Sequence, residues 1–492
     1  MRRSIAVLAL VTGLLAVVFA AGGCGKLKGT LRPASLPSTR IFVSGPVDTV
    51  NHVAHVYWFG SVADGRIVGF ELRLLNPADT VAADSAWRYT TRNDSVITVF
   101  TPNGYAAPVL EVRAIDNRGQ RDPSPARQLF QFSNKPPIVT LISKPGPSDS
   151  TFASVTVGWR LNDPDGEATK VTYRLWLDGA APDSFEVTQA LRFTMPSHRF
   201  LQAGAYQMGY RWLYVQAIDD GGLAGPVDSV RWYVKRPTAG ARARLLIIDD
   251  VPRTNPANNI IDSLYTNTAQ RNLQTDQYTV LRLEYGNPFK SAADIAQTFK
   301  LFDSVVWYRG NEVTLSTTLQ NYGSGVGTYL EQGGTFYMDG LYLFSGNNAS
   351  GAFTSDFANR YLDCDGFIQG FVNTFSFGDS SIGFGNPNGS LYQSAMFADS
   401  IREQQLAVRS NEAGGFRVFK VRNASEVALV ATPGSLTPSN TQPLPVGVSV
   451  PQPSGGRAIF FAVPVGTAVP RNQSGNFRLL AKVFAQMGLT GP

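Results

Sequence analysis

The sequence predicts a multidomain chain in which two all-β sandwiches precede an α/β domain with a mostly parallel sheet. A stretch of roughly 100 residues recurs once, and both copies consist of short segments of alternating polarity broken by turns. Beyond about residue 243, continuous apolar runs alternate with segments of helical periodicity, which is typical of α/β domains. The 47 glycines and 30 prolines among 492 residues favour a turn-rich β protein over a helical bundle.

The composition excludes several kinds of site. Two cysteines form neither a disulfide scaffold nor a cysteine-based zinc site, and three histidines leave little material for a histidine metal centre. The formal charge of +6 is spread thinly along the chain without a Lys/Arg cluster. We therefore expect no metal, no cofactor and no nucleic-acid partner.

The N-terminus has the layout of a secretory signal peptide. Arg2 and Arg3 precede an apolar run of 17 residues from Ile5 to Ala21, and small residues then lead to Cys24. The run is short for a membrane-spanning helix, which needs about 20 residues. We expect residues 1–23 to be the signal peptide and residues 24–38, which are rich in Pro and Ser, to be a tether.

The small residues before Cys24 resemble the lipobox of bacterial lipoproteins, although Ala21 stands where that family usually has Leu. The resemblance implies that Cys24 is lipidated, with acyl chains such as palmitate, and becomes the mature N-terminus. Acyl chains contribute about 0.8 kcal/mol per buried CH₂, so several of them hold a protein stably at a membrane. Gly25, in place of Asp, implies export to the outer membrane. The alternatives are ordinary cleavage after Ala20 or an uncleaved anchor.

The internal repeat predicts two β-modules, over residues 39–134 and 135–237. The recurring residues lie 103 positions apart: Ala114, Ile115, Asp116 and Gly119 reappear as Ala217, Ile218, Asp219 and Gly222. About 100 residues with some seven strands match an immunoglobulin-like sandwich. We expect Trp58 and its counterpart Trp159 to fill the space between the two sheets. The acidic segments 163–166 and 219–221 are predicted to form tight turns between strands rather than calcium sites.

This pattern resembles fibronectin type III domains. The residues that carry the resemblance are Trp58 on an early strand, the late strand 112–116, and then Gly119 and Ser124. The family's strand tyrosine is replaced by Leu110 in the first copy and by Leu213 in the second, so the second copy is predicted to be a looser immunoglobulin-like relative. If the protein is anchored at a surface, we expect these two modules to be spacers or adhesive modules.

The α/β domain is predicted to span residues 244–490. Strands are expected at 245–248, 278–283, 304–308 and 335–338, with helices at 259–271, 291–299 and 315–330 between them. This alternation implies a parallel sheet with right-handed crossovers. Further strands are expected at 416–421, 427–430 and 458–463, and a closing helix at 477–487.

The segments LLIIDD, VVWYRG, YLEQGGTFYMDG and GGRAIFFAVP resemble class I glutamine amidotransferase-like (flavodoxin-like) domains. Enzymes of that family place a cysteine on a sharp turn after a central strand and pair it with a histidine. Here the corresponding strand runs into Asp339 and Gly340, and the chain has no histidine after His198. Cys364 lies between two aspartates, which disfavour a thiolate. We therefore expect a non-catalytic domain.

One candidate ligand site remains, at the carboxyl edge of the predicted sheet. Asp249, Asp250, Arg309 and Asp339 each follow or end a strand, and ligands of open parallel sheets bind outside this edge. They are candidates for binding a polar ligand or for acting as a carboxylate pair. The alternative is that each aspartate caps the following turn or helix.

Together these features predict a surface-anchored lipoprotein of the cell envelope that acts as a non-catalytic binding or structural module. Its expected partners are the membrane, through the lipid anchor, and an envelope protein or a glycan. One alternative is a carboxylate-dependent hydrolase, for example acting on glycans, with its site in the α/β domain. Another is a glycan-binding protein that uses exposed aromatic residues such as Trp87 or Tyr342.

Overall fold

The computed structural model describes most of the chain from residue 34 onward, and the described ranges are 34–43, 50–51, 53–75, 87–165, 170–178, 185–238, 243–255, 258–310, 312, 314–344, 352–368, 382–385, 405–406, 418–423, 426–432, 444–462, 464–465 and 473–490. The predicted signal peptide, Cys24 and most of the tether lie outside these residues. Within the described ranges, no helix combines the length and the apolar character needed to cross a bilayer.

The chain divides into two compact units, one up to Lys135 together with Gly221–Leu223, the other comprising Pro136–Asp220 and Ala224 onward. The first unit contains the first β-module. Its sheets have the orders β1-β3-β6, β5-β4-β8-β9 and β2-β10-β7. The strands are β1 Ser38–Val43, β2 Val50–Asn51, β3 Val53–Ser61, β4 Ile67–Leu75, β5 Arg88–Thr90, β6 Asp94–Thr98, β7 Tyr105–Ala106, β8 Val109–Asp116, β9 Ala126–Leu129 and β10 Phe132–Ser133.

Trp58 lies in the core between the three-stranded and four-stranded sheets, as the sequence predicts. Its side chain is 2% exposed and packs with Phe70 of the opposite sheet at a ring-centroid distance of 6.2 Å. Its indole N–H donates to the carbonyl oxygen of Arg92 at 3.0 Å, so the polar atom of the buried ring is satisfied. Alternate residues of β8, including Leu110 and Val112, complete this core.

The outer surface of the four-stranded sheet carries a network of opposite charges around Trp87. Glu71 lies opposite Arg113, and Arg73 lies opposite Glu111, on neighbouring strands β4 and β8. The two arginines enclose the Trp87 ring, with guanidinium carbons 4.2 and 4.1 Å from its centroid. Trp87 is therefore half-buried, and its ring already contacts two cations of the protein itself.

Replacing Trp87 with Ala is expected to lower the free energy of unfolding of the first unit by about 1–3 kcal/mol, because two cation–π contacts and apolar area are lost. Urea unfolding of the full chain, followed by hydrogen exchange in peptides from β4 and β8, measures this loss. Phe59→Ala is the control, since Phe59 is 63% exposed and its replacement should change stability by less than about 0.5 kcal/mol. Equal losses in the two variants would contradict the structural role of Trp87.

The second β-module repeats this arrangement. Its sheets have the orders β11-β13-β16, β12-β20-β19-β14-β15 and β17-β18, and a 3₁₀ helix spans Ser197–Phe200. Trp159, the counterpart of Trp58, is 2% exposed and packs against Tyr173 at 5.0 Å. The strands are β11 Ile138–Ser143, β12 Ser150–Thr151, β13 Val155–Asn162, β14 Thr172–Leu177, β15 Glu186–Thr188, β16 Arg192–Met195, β17 Leu201–Gln202, β18 Ala205–Tyr206, β19 Gly209–Ile218 and β20 Asp228–Val234.

The most similar segments of the two modules form the same turn. Gly119 and Gly222 have φ of +78° and +84°, a conformation that glycine adopts without a steric penalty. In the first copy the buried Asp116 carboxylate accepts the backbone N–H groups of Arg118 and Gln120, both at 2.9 Å. The Asp116 side chain therefore closes a tight turn.

The rest of the second unit is built on a nine-stranded sheet with the order β22-β21-β23-β24-β31-β30-β29-β26-β27, beside a separate β25-β28 pair. Strands β22, β21, β23, β24 and β31 are parallel, and the others pair antiparallel. The strands are β21 Leu245–Asp249, β22 Tyr278–Arg282, β23 Ser304–Tyr308, β24 Thr335–Asp339, β25 Cys364–Ile368, β26 Ile382–Gly385, β27 Gln405–Leu406, β28 Val418–Val421, β29 Val427–Thr432, β30 Leu444–Pro451 and β31 Arg457–Phe461.

The sheet is thus mixed, and the prediction of a mostly parallel sheet holds for one half of it. The physical reason is the short turn between β30 and β31, in which Gly455 has φ of +105°. A tight turn joins antiparallel strands, whereas parallel strands need a long crossover. The pattern of the sequence did not single out β30, and the change of direction begins there.

Helices cover both faces of the parallel strands. They are α1 Asn258–Asn272, α2 Ala292–Phe299, α3 Thr317–Tyr322, α4 Ser324–Glu331, α5 Ser355–Tyr361 and α6 Gln473–Gln486, with a 3₁₀ helix at Leu283–Tyr285. Leu245 and Ile247 of β21 pack towards α1 and α6, while Leu246 and Ile248 pack towards α2 and α4. All four are fully buried, which explains why this strand is apolar throughout.

A buried polar junction joins the second β-module to α2. The Asp294 side chain is 2% exposed, and its carboxylate accepts the Ser154 hydroxyl at 2.8 Å and the Lys290 backbone N–H at 3.0 Å. Ser291, which caps α2, also contacts the Thr156 hydroxyl at 2.8 Å. Burial raises the pKa of Asp294, and the hydrogen bonds oppose this rise. The helix cap is thus shared with the β-module.

Candidate functional site

Asp339 lies at the end of β24 inside the core of the second unit. One carboxylate oxygen, Oδ2, accepts hydrogen bonds from the hydroxyls of Tyr337, at 2.8 Å, and Tyr265, and from the backbone N–H of Val465 at 3.3 Å. The other oxygen, Oδ1, has no hydrogen-bond partner among the described residues. Complete burial raises the pKa of Asp339 to about 7, although its three donors favour the ionised form.

A polar chain leads from Asp339 across the same face of the sheet. The Tyr265 ring, on α1, stacks on Tyr308 with a centroid separation of 4.0 Å and an interplanar angle of 3°. The Tyr308 hydroxyl donates to Asp262 at 3.1 Å, and Asp262 forms an ion pair with Arg282 at 2.7 Å. Burial raises the pKa of Tyr308, so its hydroxyl stays protonated and acts as a donor.

Asp249 ends the neighbouring strand β21 and is 3% exposed. Its Oδ1 accepts the backbone N–H of Val251 at 3.0 Å, the contact by which an aspartate closes a turn. Burial raises the pKa of Asp249 to about 7, and the charge of Asp262 adds to the rise. The guanidinium of Arg282, 3.8 Å away, acts in the opposite direction.

Asp250 and Arg309 lie together on the opposite face of the sheet. The Trp307 indole N–H donates to Asp250 Oδ2 at 3.1 Å, and Arg309 Nε lies 3.2 Å from the same oxygen. The angle at this nitrogen is outside the range of a hydrogen bond, so the contact is an ion pair. Burial raises the pKa of Asp250, and the positive charge of Arg309 opposes the rise.

The four residues predicted for this edge therefore form two groups. Residues 249 and 250 are consecutive, so their side chains point to opposite faces, and Asp250 meets Arg309 while Asp249 does not. Asp249 and Asp339 share a face but lie on either side of β23, where both pair with Tyr308. Two strand spacings separate their Cα atoms by roughly 10 Å. The described residues include no acidic or histidine cluster suited to a metal ion.

Sequence reasoning missed the tyrosines of this network, Tyr265, Tyr308 and Tyr337. A signal for one of them exists: Tyr337 lies two residues before Asp339 on the same strand, so both side chains must face one side. Tyr265 is 74 residues away from Asp339 along the chain, and no short-range pattern connects them.

Cys364 lies at the start of β25 and is fully buried. Its Sγ donates to the carbonyl oxygen of Leu362 at 3.0 Å. Burial, together with the negative charge of Asp363, raises the pKa of the Cys364 thiol to about 12. The thiol is therefore protonated near neutral pH, which agrees with the expectation that it is a poor nucleophile.

A cavity of about 200 Å³ lies inside the second unit, between the β-module and the sheet. Lys235, Arg282 and Lys290 line it together with Asp149 and Tyr285. Burial lowers the pKa of Lys235, whose ammonium lies 5.6 Å from the Phe152 ring. The sequence did not point to this cavity, because its walls come from three separate parts of the chain, within residues 145–156, at Lys235 and within residues 280–290.

The chain matches no family model and no curated protein. Among solved structures it is similar to the fibronectin(III)-like modules of CbhA from Clostridium thermocellum, with 16% identity over 40% of this chain and 94% of that one and a TM-score of 0.17. It is also similar to the FN1–FN3 domains of chicken CNTN1, with 13% identity over 40% of this chain and 65% of that one and a TM-score of 0.17.

A third similar structure is the chicken interferon gamma receptor alpha chain, with 10% identity over 42% of this chain and 99% of that one and a TM-score of 0.16. The structural neighbours thus include fibronectin type III-like modules. With scores this low, the class of the protein rests on its own strand pairing: two successive β-sandwich modules and a mixed α/β sheet.

Proposed function

We propose that this chain is a lipid-anchored protein of the cell envelope, in the outer membrane, and that its folded part binds or scaffolds rather than catalyses. The anchor rests on the lipobox-like residues before Cys24, and the observation that carries the non-catalytic role is the use of Asp339. Its position is the one where amidotransferase-like enzymes would turn towards a nucleophile, and here three donors inside the core hold its carboxylate. The Asp339 carboxylate thus serves the fold.

The resemblance of residues 244–490 to amidotransferase-like domains supports the non-catalytic role, with the α/β domain as a degenerate relative of those enzymes. The parallel strand order β22-β21-β23-β24-β31 suits such a domain. The residue after Asp339 is Gly340, with φ of +146°, so the sharp turn is present without a reactive side chain. The thiol of Cys364 lies elsewhere and is buried.

The alternative, a carboxylate-dependent hydrolase, draws on the pKa values of about 7 for Asp249 and Asp339. A general acid benefits from such a value. It must also reach its substrate, and Asp339 is 0% exposed. Glycosidase screening of the full chain tests this alternative, with activity that falls in Asp339→Asn as the supporting outcome and no activity above background as the opposing one.

The lipid anchor is tested with the two cysteines of the chain, Cys24 and Cys364. In bacteria fed an alkyne-bearing palmitate, we expect the wild-type protein and Cys364→Ser to become labelled and Cys24→Ser to remain unlabelled. Cys364→Ser is the matched control, because it removes the other thiol and leaves the lipobox intact. Label retained in Cys24→Ser, or absent from the wild-type protein, would overturn the anchor.

A further inference from the structure

The outer surface of the five-stranded sheet in the second β-module carries an exposed row of aromatic side chains, here called the aromatic face. Tyr210, Trp212 and Tyr233 are 57%, 40% and 43% exposed. Trp176 and Tyr214 are half-buried beside them. The strand register explains the arrangement, since Trp176 is opposite Tyr214 and Tyr210 is opposite Tyr233.

These rings form an ordered array. Trp176 and Tyr214 have centroids 5.4 Å apart, Tyr214 and Trp212 have centroids 6.2 Å apart, and the interplanar angle is 16° in both pairs. Tyr210 and Tyr233 meet edge to face at 5.4 Å. The alternate residues of β19, Leu213 and Val215, fill the core on the other side. The aromatic face is therefore additional to the core that stabilises the sandwich.

The aromatic face is also positively charged. Arg174 and Arg231 occupy outward positions on β14 and β20, and Arg231 lies 4.2 Å from the centroid of Tyr210. By the register, the outward positions of β14, β19 and β20 contain no acidic residue. Among the described residues neither arginine takes part in an ion pair. The nearest acid to Trp212 along the register, Asp178, directly follows β14; it accepts the Trp212 backbone N–H at 3.0 Å and forms an ion pair with Arg211. Within the part of the chain that the structure describes, the charges of Arg174 and Arg231 are therefore not paired with a carboxylate.

We propose that the aromatic face binds an acidic polysaccharide. Aromatic rings offer flat apolar surface to the C–H faces of sugars, and exposed apolar patches of this kind mark interaction sites. Guanidinium groups pair with carboxylates in a two-pronged geometry that neutral sugars do not offer. The charge of Arg174 and Arg231 therefore selects an anionic chain over a neutral one. The proposal rests on the proposed function only in requiring an exported protein.

Binding is tested with the full chain, purified in detergent, and polygalacturonate as the probe. We expect wild-type protein to bind polygalacturonate and not neutral dextran, with affinity that falls as salt is raised. Trp212→Ala should weaken binding at least tenfold, and Arg231→Gln about fivefold with a smaller salt dependence. The controls are Phe59→Ala, which removes an exposed ring from the first module, and Arg160→Gln, which changes an exposed arginine on β13, in the other sheet of the second module.

Both controls should bind like wild type, and thermal unfolding should confirm that each variant is folded. Absence of binding to polygalacturonate would overturn the proposal, as would equal binding of dextran or equal affinity in wild type, Trp212→Ala and Arg231→Gln. The palmitate experiment on Cys24 reads out the anchor separately. If the protein is labelled with palmitate but does not bind polygalacturonate, the lipid anchor is supported and the proposed ligand is wrong.

Discussion

Asp339→Ala is expected to lower the free energy of unfolding of the second unit by about 3–5 kcal/mol. The substitution leaves the buried hydroxyls of Tyr265 and Tyr337 and the N–H of Val465 without their acceptor. A buried donor that loses its partner costs about 1–3 kcal/mol, and such losses are not fully additive. Hydrogen exchange of peptides that contain β24 measures the loss locally in the full chain. A change below about 1 kcal/mol would contradict the structural role of Asp339.

Asp339→Asn separates the charge of Asp339 from its shape. An amide oxygen can accept the same three hydrogen bonds, and the amide nitrogen would replace Oδ1, which has no partner among the described residues. Near pH 4 the wild-type carboxyl is protonated as well and carries one O–H donor, against two N–H donors in the amide, so the stability of the variant should lie within about 1–3 kcal/mol of wild type. The dependence of stability on pH should differ between the two proteins.

The direction of this dependence follows from the pKa of about 7 in the folded state, which is above the ordinary value of 3.8. As pH rises from about 4 to 7, the unfolded chain loses its proton first, so wild-type stability falls through this window. The amide side chain that Asp339→Asn introduces does not titrate, so the variant does not lose stability in this way. It should be the more stable form above pH 7, by up to about 4 kcal/mol.

Urea unfolding at pH 4.5, 6 and 8 tests the sign. Asp356→Asn is the control, because Asp356 is an exposed aspartate on α5 of the same unit. The control should follow the wild-type protein at every pH. A stability difference between Asp339→Asn and wild type that does not change with pH would show that the carboxyl is not strained by burial.

Asp294→Ala is expected to cost about 2–4 kcal/mol and to loosen both sides of the junction at once. It removes the acceptor of the buried Ser154 hydroxyl, on the β-module side, and of the Lys290 N–H, on the helix side. Peptides from β13 and from α2 should therefore exchange hydrogen faster together. Gln297→Ala is the control, since the Gln297 contact to Ser197, at 2.9 Å, is only partly buried.

The outcome for β13 decides this prediction. Faster exchange confined to α2 would mean that Asp294 serves its own helix alone. Unchanged exchange in both segments would mean that the hydrogen bonds across the junction contribute no stability.

Packing roles were predictable from the sequence where one residue dominates its surroundings. A tryptophan on an alternating strand must point inward or outward, and its neighbours at every second position decide which, so Trp58 and Trp159 could be assigned to the cores. The uniformly apolar β21 was equally informative. The direction of the antiparallel strands could not be predicted, because an apolar run such as β30 has the same pattern in a parallel and in an antiparallel strand.

The candidate site was predictable only in part, for a related reason. The end of a strand places Asp249, Asp250, Arg309 and Asp339 at one edge, and the structure has them there. The surroundings of Asp339 and Asp249 depend on α1, which brings Tyr265 and Asp262 to the sheet. Such tertiary contacts decide whether an acid is a catalyst or a structural group, and they have no local signature in the sequence.

The most direct test of the lipid-anchored function is the mass of the N-terminal peptide of the full protein isolated from bacterial membranes. We expect this peptide to begin at Cys24 and to carry a diacylglyceryl group on its sulfur. A peptide that begins at Ala21 with an unmodified Cys24, or one that still contains the residues of the apolar run, would contradict it.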